Sequence, residues 1–174
     1  MSSASRKAGK LTVRELCLLS LMAALMFAAQ LALSGFANIH VTAPLIIVCC
    51  AVFAWKALYA VFLFVMLEAL VWGLGLWVIS YMYLWPLLAF AAILMHKNDS
   101  PLVWAVLAAV HGLAFGAGCA VPYLFIGGWE MAFSYWVSGI PFDLIHCAGN
   151  FILTLVLYRP LKNVMLRALG TKAA

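Results

Sequence analysis

Residues 16–33 form an uncharged run that reads LCLLSLMAALMFAAQLAL. A helix needs about 20 apolar residues to cross the hydrocarbon of a bilayer, and the apolar core of a secretory signal is shorter than this run. We therefore interpret it as an uncleaved first membrane span. The composition agrees, because 68% of the 174 residues are hydrophobic and 9% are charged, which is too apolar for a water-soluble domain.

Further apolar segments follow this run along the whole chain. We predict an all-α integral membrane protein with a single bundle of six transmembrane helices at 15–35, 41–54, 57–72, 78–95, 101–122 and 132–158. Residues 15–158 are then the membrane domain, and 1–14 and 159–174 are short tails. The boundary at Trp55 and Lys56 has neither Gly nor Pro, so a single long helix over 41–72 is the alternative.

The Lys and Arg residues decide between these alternatives. Six spans place all ten of them on one side of the membrane, whereas a merged helix would bury Lys56 and move Lys97 to the opposite side. Cytoplasmic loops are the ones enriched in Lys and Arg. We therefore predict that both termini are cytoplasmic. The basic residues are divided among tails and short loops, which argues against a nucleic-acid partner.

Four ionisable residues fall inside the predicted spans, where each is expensive unless it faces a cavity or a partner. They are Glu68, His111, Asp143 and His146. Asp143, His146 and Asn150 lie at i, i+3 and i+7, so they share one face of the sixth helix. We predict that this face lines an outward pocket. The alternative is that these side chains pair with one another and pin the helices together.

The predicted outer loops at 36–40, 73–77 and 123–131 contain no Lys or Arg. Their polar and aromatic residues, with those close by, are candidates for ligand contact, and the alternative for the Trp and Tyr side chains is an aromatic belt at the lipid headgroups. A disulfide between Cys119 and Cys147 is a further alternative. No spacing of Cys or His residues indicates a metal site. The candidates are Asn38, His40, Trp72, Trp77, Tyr81 and Tyr123.

Small residues recur on two predicted helices. Ser20, Ala24, Ala28 and Ala32 recur every four positions on the first, which is typical of a smooth face for another membrane protein. Gly112 and Gly116 form a GxxxG pattern on the fifth, which we assign to packing within the bundle. The sequence has no Walker, GxSxG or HExxH motif, so the chain is not expected to hydrolyse ATP itself.

Six short spans, the alanine stripe and the segment YWVSGIPFDLIHCAGN at 135–150 resemble the substrate-binding S components of energy-coupling factor transporters. The resemblance implies a prokaryotic plasma-membrane protein that binds a water-soluble vitamin or related micronutrient near the outer surface. It also implies association with a membrane T component and two cytoplasmic ATPases, which use the ATP. The chain itself would bind no cofactor. The family's partner contact maps to Ala24 and Ala28, extended by Ala32.

Aromatic rings beside a few polar groups suit a flat heterocyclic ligand, and carboxylates favour one with amino or cationic groups. Two other functions stay open: a small intramembrane enzyme that uses Asp143 and His146, and a membrane subunit without a ligand. The full set of predicted substrate-binding residues is Asp143, His146, Asn150, Glu68, Trp72, Trp77, Tyr81, His111, Tyr123, Asn38 and His40.

Overall fold

The computed structural model describes residues 11–36 and 38–170, and this part of the chain is helical without a strand. Arg6, Lys7, Lys10 and Lys172, which the sequence assigns to the cytoplasmic tails, lie outside the described residues. The elements are α1 (Val13–Ala32), α2 (Thr42–Phe53), a 3-10 turn (Ala54–Lys56), α3 (Ala57–Trp72), α4 (Leu76–Leu94) and α5 (Pro101–Ala168).

Four helical stretches of the described chain are long and apolar enough to cross a membrane. The stretches are Val13–Ala32, Thr42–Trp72, Leu76–Leu94 and Pro101–Ala168. The helical class and the compatibility with a membrane protein are therefore confirmed, but the described chain has four helical stretches of this kind rather than the six predicted. The predicted fifth and sixth helices are joined into α5, and the segments on either side of Trp55 are linked through a tight 3-10 turn.

The N-terminus of α1 is fixed by a capping box. The Thr12 side chain accepts a hydrogen bond from the Glu15 backbone N–H, and the Glu15 carboxylate accepts one from the Thr12 N–H. This arrangement satisfies two donors that a helix start otherwise leaves free. The same carboxylate binds the Lys56 ammonium at 2.9 Å, so the start of α1 is held at the turn between α2 and α3.

The element α5 is a hairpin that consists of two helical arms. Gly127 and Gly128 have non-helical backbone angles, and Gly128 has a φ of 70° that only glycine adopts readily. Contacts between the first arm (101–126) and the second arm (129–168) pair residues in antiparallel order, from the Tyr123 and Tyr135 rings near the break to the Trp104 and Tyr158 rings at the far end. The loop predicted at 123–131 is thus mostly helix.

The helix α2 occupies the centre of the bundle. It contacts α1, α3, α4 and α5, and eleven of its twelve residues are buried. A helix that is apolar on every side and surrounded by other helices belongs to a core. In contrast, α1 buries only one face, which is formed by Leu19, Met22, Ala23 and Met26. Leu70 of α3 and Leu74 after α3 are largely exposed.

Two ion pairs lie at the end of the bundle opposite Gly127 and Gly128. Besides the pair formed by Lys56 and Glu15, Asp99 in the link before α5 binds Lys162 near the end of α5. The hydrogen bond from the Lys162 ammonium lowers the pKa of Asp99 below its ordinary value. The Arg14 guanidinium lies against Gly170. The two ends of the described chain are therefore close together at this charged end.

Candidate functional site

Asp143 on the second arm of α5 is seated against a glycine of the first arm. Its Oδ1 accepts a hydrogen bond from the backbone N–H of Gly116 at 2.9 Å. A Cβ atom at position 116 would overlap Oδ2 of Asp143, so only glycine leaves room for the carboxylate in this position. The side chain is 3% exposed, and Oδ2 has no hydrogen-bond partner in the described structure.

This carboxylate lines a cleft of about 320 Å³ between the loop after α1 and the two arms of α5. The volume is at the small end of the range of about 300–1,000 Å³ that is typical of ligand pockets. Two of the predicted site residues, Asn38 and Asp143, line this cleft. The other lining residues are Phe115, Gly116, Cys119, Tyr135, Ser138, Gly139 and Phe142.

Stacked rings hold the wall of the cleft in place. Tyr135 stacks on Tyr123 of the first arm, with ring centres 4.3 Å apart and planes inclined by 22°. Tyr123, a predicted ligand contact, therefore supports a lining ring across the hairpin. On the other side Phe115 separates the cleft from His146, whose ring centre is 5.0 Å from that of Phe115.

Three predicted site histidines meet behind Phe115. The ring centres of His40 and His146 are 4.6 Å apart, and those of His111 and His146 are 6.5 Å apart. His111 donates from Nε2 to the backbone carbonyl of Leu84 at 3.0 Å. Neither ring nitrogen of His146 has a partner in the described structure. The Trp85 ring also belongs to this cluster. It contacts the His40 ring edge-on and the His111 ring at a tilt.

The polar face of the second arm bonds to the backbone of the first arm rather than to other ionisable side chains. Asn150 donates from Nδ2 to the carbonyl oxygen of Ala108 at 3.1 Å, as Asp143 accepts from Gly116. The ion pairs of the described chain involve neither Asp143 nor Glu68. Mutual pairing of the intramembrane charged groups, which was the alternative explanation of this face, is therefore absent from residues 11–36 and 38–170.

The remaining predicted contacts do not line the cleft. Glu68 on α3 is buried with an unpartnered Oε1 but does not line the cleft. Trp72 is 57% exposed at the end of α3. Trp77 packs edge-on against Tyr81, whose hydroxyl accepts a hydrogen bond from Gln30. The cleft therefore does not bring the carboxylates of Asp143 and Glu68 together around one ligand.

Most of the lining was missed at the sequence level because only ionisable residues and Asn150 were selected from the predicted spans 101–122 and 132–158, which contain the missed residues. Since the second arm is helical from 129 onward, Tyr135 and Gly139 lie eight and four residues before Asp143 on the same helix face. Counting back four and eight residues from Asp143 in the sequence would have identified Gly139 and Tyr135. Phe115 is adjacent to Gly116 and Cys119 follows three residues later, so the GxxxG pattern that marks the close approach of the two arms also marks the cleft.

The other predicted features are placed as follows. A Cβ atom on Gly112 would lie 2.9 Å from the backbone carbonyl carbon of His146, which confirms that the GxxxG pattern packs within the bundle. Ala24, Ala28 and Ala32 are exposed on the face of α1 that packs against no other helix of the described chain. All five cysteines are free, so Cys119 and Cys147 form no disulfide.

The cleft is lined by one carboxylate, one amide, one thiol, two hydroxyl groups and three aromatic rings, one of which carries a hydroxyl. Asp143 and His146 do not bond to each other, and Phe115 lies between His146 and the cleft. Among the described residues, no group of three His, Cys, Asp or Glu side chains is arranged to hold a metal ion. No protein-family model, curated protein or solved structure matches this chain.

Proposed function

We propose that the chain is the substrate-specific S component of an energy-coupling factor importer, which binds a small water-soluble nutrient in the cleft at Asp143. The observation that carries the proposal is the buried carboxylate of Asp143, which lines a cleft of ligand size and whose Oδ2 has no hydrogen-bond partner in the described structure. A polar atom in this state loses its hydration without compensation, and a bound donor removes that cost. Intramembrane carboxylates commonly mark substrate pathways.

The proposed topology has six crossings, with each arm of α5 counted as one and α2 and α3 counted separately. α2 is only about 18 Å long at 1.5 Å per residue. Its burial among the other helices supports such a short crossing, because protein rather than lipid surrounds its ends. The charged end that contains Lys56 and Lys162 would face the cytoplasm by the positive-inside rule. The cleft, near the opposite end, would then be open to ligand from outside.

Transport would depend on partner proteins that hydrolyse ATP. The exposed alanines of α1 support a docking surface for the T component, because small side chains allow a second helix to approach closely. The buried face of α1 is formed by different residues, so this docking would not compete with the packing of the bundle. Binding without catalysis is also favoured by the separation of His146 from the cleft by Phe115.

Replacing Ala28 by Trp is expected to weaken association with the T component and the two ATPases at least tenfold, because the large ring prevents close helix contact. The measurement is affinity capture of the tagged chain from its native membrane in mild detergent, with quantitative mass spectrometry of the three partners. Leu70→Trp is the matched control, since Leu70 is 78% exposed on α3. Failure of the wild-type chain to capture these partners, or equal capture by Ala28→Trp, would contradict the proposal.

A further inference from the structure

We propose that the ligand of this cleft is a planar, positively charged nitrogen base, whose N–H groups donate to Oδ2 of Asp143 while its ring packs between the aromatic side chains. An amidine or a protonated amino-substituted heterocycle has this chemistry. The inference rests on the proposed binding function and adds the charge and shape of the ligand to it.

The charge follows from the side chains that line the cleft. Asp143 is the one carboxylate among them, and none of the described lining residues is Lys, Arg or His. Its Oδ1 already accepts from the Gly116 N–H and its Oδ2 has no partner in the described structure, so Oδ2 is the acceptor left for a ligand. An anionic ligand would meet this carboxylate with no cation to offset the repulsion. A cation with N–H donors would supply both the missing hydrogen bond and the countercharge.

The shape follows from the rings. Phe115, Tyr135 and Phe142 line the same cleft as Asp143, and aromatic faces attract both flat rings and cations. Tyr135 is held by its stack on Tyr123, so this wall is preorganised. Preorganised contacts lose less conformational entropy on binding. The volume of about 320 Å³ limits the ligand to one or two rings.

Benzamidine, benzamide and benzoate are suitable probes, because they share one size and shape but are cationic, neutral and anionic at pH 7. Binding to the purified full-length protein in detergent is measured by isothermal titration calorimetry. We expect benzamidine to bind at least tenfold more tightly than benzamide, and benzoate to bind more weakly than both. Equal binding of all three, tighter binding of benzoate, or no binding of benzamidine would overturn the inference. This series needs no variant, so misfolding cannot obscure it.

Asp143→Asn identifies the group responsible. The amide keeps the size of the side chain and the acceptor for Gly116 but removes the charge, so benzamidine and benzamide should then bind within about threefold of each other. Glu68→Gln is the control, because Glu68 is a buried carboxylate outside the cleft and its loss should leave the preference intact. A preference for benzamidine that survives in Asp143→Asn would overturn the inference.

These outcomes are separate from the test of the transporter. Failure of the charge series alongside capture of the T component and ATPases would overturn the ligand class and leave the proposed function standing. A charge preference that depends on Asp143, without capture of those partners, would support the ligand class and overturn the assignment as a transporter subunit.

Discussion

Trp85→Ala is expected to lower the free energy of unfolding by about 3–5 kcal/mol, the range for loss of a large buried aromatic side chain. The Trp85 side chain is fully buried on α4. Its ring contacts rings from the loop before α2, from α3, from α4 and from the first arm of α5, so its removal leaves a cavity where these elements meet. These rings belong to His40, Phe64, Tyr81, His111 and Phe115.

The measurement is equilibrium unfolding in mixed micelles, followed by far-ultraviolet circular dichroism. Trp72→Ala is the matched control, because the same change is made on a side chain that is 57% exposed at the end of α3. It should alter stability by less than about 1 kcal/mol. Similar losses in the two variants would mean that the aromatic cluster around Trp85 does not organise the bundle.

Gly112→Val is expected to destabilise the protein by about 2–3 kcal/mol through overpacking between the two arms of α5. The first added carbon would lie 2.9 Å from the carbonyl carbon of His146 and 3.0 Å from the backbone nitrogen of Cys147. Backbone atoms cannot rotate away as a side chain can, so the arms must separate. The hydrogen bond from Asn150 to the carbonyl of Ala108, one turn away, should weaken with them.

Gly139→Val provides the comparison for this variant. A Cβ atom on Gly139 would meet no atom within 4 Å, although the residue lies in the same hairpin. Unfolding under the same conditions should show little or no loss for Gly139→Val. Equal stability of Gly112→Val and the wild-type protein would contradict the close approach of the arms.

The sequence predicted the helical class and the close helix packing at Gly112, because both follow from local patterns. Apolar runs of sufficient length specify spans, and a GxxxG pattern specifies a narrow helix surface. The length of the turn between the two arms of α5 was predicted less accurately. Gly127 and Gly128 break the helix over only two residues, whereas the composition around them predicted a loop of nine residues.

Which residues form the site depends on how each helix is rotated about its axis and on which helices are neighbours. Glu68 and Asp143 were both predicted to contact a ligand, but a place inside a predicted span does not specify the direction in which a side chain points. The structure buries Glu68 away from the cleft and places Asp143 in it. Asn38 was predicted from its loop position alone, and it reaches the cleft because the loop after α1 lies beside the second arm.

Native mass spectrometry of the protein purified from its own membrane tests the central claim, that the cleft at Asp143 holds a small molecule. We predict a wild-type population that carries one small organic molecule, which is retained by Glu68→Gln and lost from Asp143→Asn. A wild-type protein without any bound molecule, or the same molecule at equal occupancy on Asp143→Asn, would contradict the claim.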